Sequence, residues 1–303
     1  GVRCGYFDNA ANVWGRHADG SARRPLDNVG VQYGLDAFNA GIIGFEQFAD
    51  LNRRVGGFDR DATIVATRMA ADPAALRTAY RSGRVNQGYG MDLVPIIDVR
   101  SYTDKVTPAD VHTAQTTDVA RERWSKTNGQ GGNFVTWITA TRGSLLDDIR
   151  VPGSPLRSAM REALSAMDDW LAALEKDAST RPRPEKVVAN RPADLHDACF
   201  DPEGRRHDAR SSAGKACLAN FPAHEDPRMA AGEPVARLHL KCALKPVRAT
   251  DYAQRLTADQ LARLRQIFPT GVCDYLRPPI GLVRPAGPWL SYASPGGAPL
   301  RDR

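Results

Sequence analysis

The side chains best suited to catalysis follow a short apolar run. Residues 93–99 predict a buried β-strand, and Asp104 comes shortly after it, within Asp104-Lys105-Val106-Thr107-Pro108. A carboxylate beyond a strand end can orient an imidazole and stabilise the imidazolium that forms when a serine hydroxyl loses its proton. His112 follows near a predicted helix start. We therefore expect Asp104 as the acid and His112 as the base of an acyl-transfer site.

Each assignment has an alternative. Asp98, within or at the edge of the same strand, is the second candidate acid, and Asp104 could instead be a turn or helix-capping carboxylate. His112 could be a surface or capping residue. His239, in a strand-like run, is the next candidate base, although interior packing is the simpler account of it. The other histidines lie in polar loops and are expected to be solvated: His17, His196, His207 and His224.

The nucleophile that this chemistry needs is not found in these residues. Residues 95–108 resemble the segment of α/β-hydrolases that carries the triad carboxylate, yet no Gly-x-Ser-x-Gly occurs in the sequence. The chain order Ser…Asp…His of that fold would put the serine before residue 1. Residues 139–143, after the second predicted strand, contain no histidine, which departs from the hydrolase pattern. We expect the C-terminal part of an enzyme that works with the N-terminal portion of the same precursor or with a companion chain.

Composition argues against several other classes. Lys and Arg number 41 and Asp and Glu 35, with the two signs interleaved, so no basic stripe with stacking aromatics predicts nucleic-acid binding. No apolar run approaches the roughly 20 residues that cross a bilayer. Asp98, Asp104, Asp110, Asp147 and Asp148 lack the spacing of an EF-hand loop, and no histidine pair has zinc-helix spacing. The sequence therefore predicts neither a metal nor an organic cofactor.

The cysteines favour an oxidising compartment. Cys199 and Cys217 flank a polar loop, Cys242 and Cys273 bracket a predicted helix, and neither pair has Cys-x-x-Cys spacing. We expect two disulfides and a secreted or periplasmic protein, with Cys4 left over for a partner in an N-terminal portion. Five reduced thiols in a cytosolic protein are the alternative.

The chain divides by pattern into three blocks. Residues 1–90 predict a helical lid or insertion, with helices from Val31 to Gly41, from Phe45 to Val55 and from an N-cap at Asp72. Residues 91–180 alternate strand and helix, which predicts a parallel α/β sheet. There, residues 108–126 and 155–174 form the helices and residues 133–139 the second strand. The second helix is expected to open at Ser154 and to bury an apolar face made of Leu156, Met160, Leu164, Met167, Leu171 and Leu174. Residues 181–303 predict a loop-rich, disulfide-stapled appendix after a linker at 181–184, with a strand-like run at 235–240 and a capping box at 257–260.

Several longer stretches carry a family resemblance. They are residues 24–35, 55–59, 95–98, 110–112, 241–247 and 268–275, and they resemble a bacterial secreted family of unknown function that is related to tannase-like and hydroxyalkanoate-oligomer esterases. The similarity spans residues 1 to about 280. It implies an α/β-hydrolase core and a serine-dependent ester or amide hydrolase that acts on a small-molecule or oligomeric ester. The missing loop histidine keeps open a second interpretation, a non-catalytic subunit or degenerate homologue that acts as a binding module.

Overall fold

The structure, a computed structural model, describes residues 5–105, 112–141, 145–224 and 226–286. Contacts divide the chain into two compact units. The central unit is Gly88–Glu225, and the flanking unit joins Gly1–Gln87 to Asp226–Arg303. The bounds of these units differ from those of the three blocks predicted from the sequence, which stay a prediction.

Short strands and mostly short helices make up both units. The strands are β1 (Gly57–Phe58), β2 (Ile64–Val65), β3 (Ile96–Ser101), β4 (Phe134–Thr139), β5 (Ala198–Phe200), β6 (Arg206–Asp208), β7 (Ala243–Lys245) and β8 (Val272–Asp274). The helices are α1 (Ala11–Trp14), α2 (Leu35–Asn39), α3 (Phe45–Arg54), α4 (Pro73–Arg81), α5 (Gln115–Asn128), α6 (Leu145–Arg150), α7 (Pro155–Lys176), α8 (Arg183–Ala189), α9 (Ser212–Leu218) and α10 (Ala258–Ile267). Single 3-10 turns occur at Asp8–Ala10, Met91–Leu93 and Ala249–Asp251. None of the helices in the described ranges is long and apolar enough to cross a membrane.

The central unit is an α/β layer structure around one mixed sheet. Its strand order is β3-β4-β5-β6, and β3, β4 and β5 run parallel. Helix α5 connects β3 to β4, and α6 to α8 connect β4 to β5, as parallel pairing requires. The predicted parallel α/β arrangement is confirmed. Strand β6 adds an antiparallel edge. The predicted disulfide Cys199–Cys217 links β5 to helix α9.

The long helix α7 buries a different face from the one that the sequence pattern predicts. Ser154 caps it as expected, and Leu156 and Leu174 are buried. The rest of the buried face is Ala159, Ala163 and Trp170, which pack with Trp137 and Phe200 of the sheet. Met160, Leu164 and Leu171 are 49%, 71% and 42% exposed. Small alanines let the helix lie close to the sheet, so the larger side chains point away from it.

Two further boundaries in the central unit differ from prediction. The helix expected from Thr107 or Pro108 begins at Gln115 in the described residues, while residues 106–111 lie outside them. It ends at Gly129, whose φ of 73° favours glycine. The predicted linker at 181–184 is instead the start of α8, because a proline at the first helical turn costs no hydrogen bond.

The flanking unit is held by a helical core and by the disulfide Cys242–Cys273, which was predicted. Helices α2, α3 and α10 contribute Phe38, Phe48 and Leu264, which pack with Val272 of β8. The predicted capping box at Thr257 and the N-cap at Asp72 are confirmed. The expected helix from Val31 is shorter and starts at Leu35. Cys4 lies outside the described residues.

The strand-like run at 235–240 is not a strand. Several of its backbone groups bind side chains, and none pairs with a neighbouring strand among the described residues. The Leu238 carbonyl accepts the Tyr80 hydroxyl at 2.5 Å, and the His239 N–H donates to Glu233 Oε1 at 3.0 Å. Arg237 also has a φ of 44°, which extended backbone does not adopt.

A buried hydrogen bond fixes the end of β3. Ser101 Oγ donates to Asp148 Oδ2 at 2.7 Å, and both residues are buried. Ser101→Ala should therefore lower the free energy of unfolding by about 1–3 kcal/mol, because a buried carboxylate loses a donor. Ser158→Ala on the half-buried side of α7 is the control and should change it by less than about 0.5 kcal/mol. Urea denaturation followed by tryptophan fluorescence measures both, and equal losses would contradict this role of Ser101.

Candidate functional site

Asp104 lies just beyond the carboxyl end of β3 and bridges two distant segments. Its Oδ1 accepts the Ala114 N–H at 2.7 Å, and its Oδ2 accepts the His224 N–H at 3.2 Å. A carboxylate has about four acceptor positions, so two backbone bonds leave room for an imidazole N–H. Asp104 is half-buried. It therefore combines a fixed position with access from outside.

The backbone of His112 is tied to the same strand. Its carbonyl accepts Arg100 Nη2 and Thr103 Oγ1, both at 2.9 Å. The residue itself is exposed. Asp104 and His112 thus belong to one cluster, in which each is held through the segment that leads into α5. Both of these bonds use the carbonyl of His112, so they hold its backbone and do not by themselves orient its imidazole.

The segment 221–224 is fixed against the same strand end. Tyr102 donates its hydroxyl to the Pro222 carbonyl at 2.6 Å, and its ring packs against Phe221 with centroids 5.1 Å apart. Burial raises the pKa of Tyr102, and the negative charge of Asp104 adds to this, so the hydroxyl stays a donor. These contacts bring the exposed His224 beside Asp104.

The second candidate acid, Asp98, faces helix α5. Its Oδ2 accepts the hydroxyl of Thr117, which in turn accepts Arg100 Nη1. Asp118, one residue further along α5, is electrostatically coupled to the cluster. Loss of hydration raises the pKa of Asp118; Arg100 and Arg121 oppose this, and the charges of Asp104 and Asp197 add to it.

A second acid and imidazole pair lies at the end of β5. Asp201 Oδ2 is 2.9 Å from His207 Nε2, and Asp201 Oδ1 accepts the N–H groups of Glu203 and Arg205. Burial works to raise the pKa of Asp201, but hydrogen bonds from His207 and Arg205 outweigh it and hold the pKa well below its ordinary value. Because these partners all belong to the hairpin formed by β5 and β6, the pair stabilises that hairpin.

His239 is packed in the interior, as its simpler sequence account predicted. It is 7% exposed, and its Nε2 lies 3.1 Å from the Arg277 carbonyl. A ring held in this way is inaccessible to a substrate. Across the described ranges, no group of three or more His, Cys, Asp and Glu side chains could hold a metal ion.

Asp104 is a held carboxylate at the carboxyl edge of parallel strands, where ligands bind in open α/β sheets, and the backbone segments that carry His112 and His224 are bound to the same strand end. A sequence profile described as a tannase-like family of unknown function matches residues 1–283. The chain belongs to this tannase-like family. Neither a curated protein nor a solved structure matches it. Family membership agrees with the resemblance found in the sequence and is consistent with a hydrolase of the esterase type.

For this tannase-like chain, the sequence predicted Asp104 and His112 as site residues, but it did not predict His224 as one. Nothing in the residues around His224 marks it, since Pro222-Ala223-His224 looks like a polar loop. A contact across 120 positions brings it to Asp104. The pair Asp201 and His207 was also missed, although Asp201 directly follows a strand, as Asp104 nearly does.

The shifted pKa of Asp118 gives a pH-dependent prediction. A carboxyl whose pKa is higher in the folded state favours folding while protonated, and this contribution is lost as pH rises from the ordinary value of about 3.9 through the folded pKa. Asp118→Asn should therefore raise the free energy of unfolding at pH 7 and leave it unchanged at pH 3. Asp169→Asn, at an exposed position of α7, is the control for removal of an aspartate charge. Urea midpoints at both pH values measure the effect, and a loss of stability at pH 7 would contradict it.

Proposed function

We propose that this chain supplies the acid, and with it the base, of a serine-dependent ester hydrolase whose nucleophile lies in polypeptide outside these residues. The observation that carries the proposal is the Asp104 cluster. Its carboxylate is held near a parallel strand end by the backbone N–H groups of Ala114 and His224, and the backbone of His112 is bound to the same strand end. Asp104 would hold the imidazole tautomer and stabilise the imidazolium, and the imidazole would take the serine proton.

The open edge of β3 supports the proposal that strands from other polypeptide extend this sheet. In the described residues β3 pairs with β4 alone, and Ile96 to Arg100 are half-buried. Parallel sheets normally have helices on both faces and neighbours on both sides of their long strands. A six-residue parallel strand at an edge is also a template for another strand. Further sheet from an N-terminal portion or companion chain would pair there and bring the serine to the edge where Asp104 lies.

The exposed row on α7 supports the same arrangement. Met160, Leu164 and Leu171 recur at helical spacing and remain outside the core of the central unit. An apolar row of this kind is suited to burial by added polypeptide. The substrate class that we propose is a small-molecule or oligomeric ester, and the two disulfides favour a secreted or periplasmic setting.

Substitution of the acid tests the catalytic proposal. In the form of the protein that carries the nucleophile, Asp104→Asn should lower kcat on a chromogenic short-chain ester by roughly 10³- to 10⁴-fold, because the imidazole loses its orienting charge. Asp201→Asn is the matched control, since Asp201 also follows a parallel strand and accepts backbone N–H groups. Full activity of Asp104→Asn would contradict the proposal, and loss in Asp201→Asn alone would transfer the acid role to Asp201 and His207.

A separate comparison identifies the base. His112→Ala and His224→Ala each remove one exposed imidazole and keep the backbone bonds of that residue, to Arg100 and Thr103 for His112 and to Asp104 for His224. One of the two should lower kcat by at least about 10²-fold, the usual scale of general-base catalysis, while labelling by a fluorophosphonate probe slows in the same variant. Wild-type rates in both variants would exclude both residues as the base.

A binding module is the second candidate, and one observation favours it. Both oxygens of Asp104 already accept backbone N–H groups, which is what a purely structural anchor would do. In that case a fluorophosphonate probe would label no serine in the complete protein, and Asp104→Asn would change stability without changing any turnover.

A further inference from the structure

The central unit contains a cleft that the proposed hydrolase chemistry does not use. Its volume is about 470 Å³. It is lined by Arg121, Arg191, His196, Asp197, Ala209, Arg210 and Lys215. Four of these side chains are cationic and one is a carboxylate. They come from α5, from the segments flanking α8 and β5, from the end of β6 and from α9, so the fold gathers them from separate elements.

The three arginines are held in place without losing all their donors. Arg121 Nη1 donates to Asp197 Oδ2 at 2.6 Å, and Arg191 Nη1 donates to the Gly132 carbonyl at 2.8 Å. Arg210 binds Asp208 through Nε and Nη2. A guanidinium carries five N–H donors in a planar fork, so each arginine keeps donors beyond these bonds. Fixed forks of this kind suit oxyanions.

Lys215 and His196 complete the lining. Lys215 is exposed on the last turn of α9, and its ammonium has no hydrogen bond or ion pair among the described residues. His196 Nε2 lies 2.8 Å from the Ala193 carbonyl, which fixes the ring and leaves Nδ1 for another partner. The charge in the cleft is thus only partly compensated, by Asp197 within it and by Asp208 behind Arg210.

We propose that this cleft binds a dianionic oxyanion, the phosphate group of a small monoester. Two negative charges match the excess positive charge, and tetrahedral oxygens can accept from several cations at once. The volume lies in the range of small-molecule pockets and exceeds that of the free anion, which leaves room for the group that the ester carries. The proposal is independent of the hydrolase function, because none of the cleft residues belongs to the Asp104 cluster.

Calorimetric titration of the full chain at constant ionic strength tests it. The probes are inorganic phosphate, inorganic sulfate and glucose 6-phosphate, with sodium chloride as the monoanion control and glucose as the uncharged control. We expect saturable binding of the phosphate and sulfate probes with a dissociation constant of about 1 mM or lower. Tighter binding of glucose 6-phosphate than of phosphate would identify the ester as the ligand, and equal binding would identify the free anion.

A matched pair of variants assigns the binding to this cleft. Lys215→Ala should weaken it by about 3- to 10-fold, the usual effect of one charged hydrogen bond at a partly exposed site. Lys176→Ala is the control, because Lys176 is also an exposed lysine on the last turn of its helix. Phosphate and sulfate that bind no more tightly than chloride, or equal weakening in the two variants, would overturn the proposal.

Discussion

The parallel pairing of β3 with β4 is the constraint on which the central unit depends. Six residue pairs lie in register, from Ile96 opposite Phe134 to Ser101 opposite Thr139. Parallel neighbours cannot be joined by a tight turn, so the chain must return along a helix, and α5 provides that return. The same pairing aligns the carboxyl ends of both strands. Asp104 and the Thr139 to Thr141 segment therefore lie at one edge of the sheet, which is where loops from different strands can build a site.

Two aspartates then bind backbone groups in and next to the sheet. Asp104 binds the segments before α5 and after α9, while Asp197 accepts the Thr136 N–H at 2.9 Å and binds Arg121. In each case a carboxylate satisfies backbone donors that have no strand partner, which the burial of polar backbone requires. This structural use does not compete with catalysis. A triad carboxylate must itself be immobile, and backbone N–H groups immobilise it without a compensating cation beside it.

Sequence reasoning reached the features that local chemistry determines. Residue types close together in the sequence predict the helix caps at Asp72, Ser154 and Thr257 and the parallel strands. The positions of the cysteines predict both disulfides. It failed where contacts between residues far apart in the sequence determine which side chains are buried or brought together. The sequence pattern predicted that Met160, Leu164 and Leu171 of α7 face the core. The structure instead buries the side of the helix with Ala159 and Ala163, because these small side chains let the helix lie close to the sheet. His224 reached Asp104 through contacts of Tyr102, which no local pattern encodes.

Helix α5 places the two candidate sites in one electrostatic neighbourhood. Ala114, just before its first residue, binds Asp104, and Arg121 in the cationic cleft follows seven positions later, or about 10 Å along the axis. Asp118 lies between them and is influenced by Arg121 and Asp197 on one side and by Asp104 on the other. That separation is close to the Debye screening length of about 8 Å at physiological ionic strength. Salt therefore weakens electrostatic interactions between the two sites through the solvent more than those through the helix and sheet. An oxyanion beside Arg121 would therefore offset part of the positive charge that works to lower the pKa of Asp118.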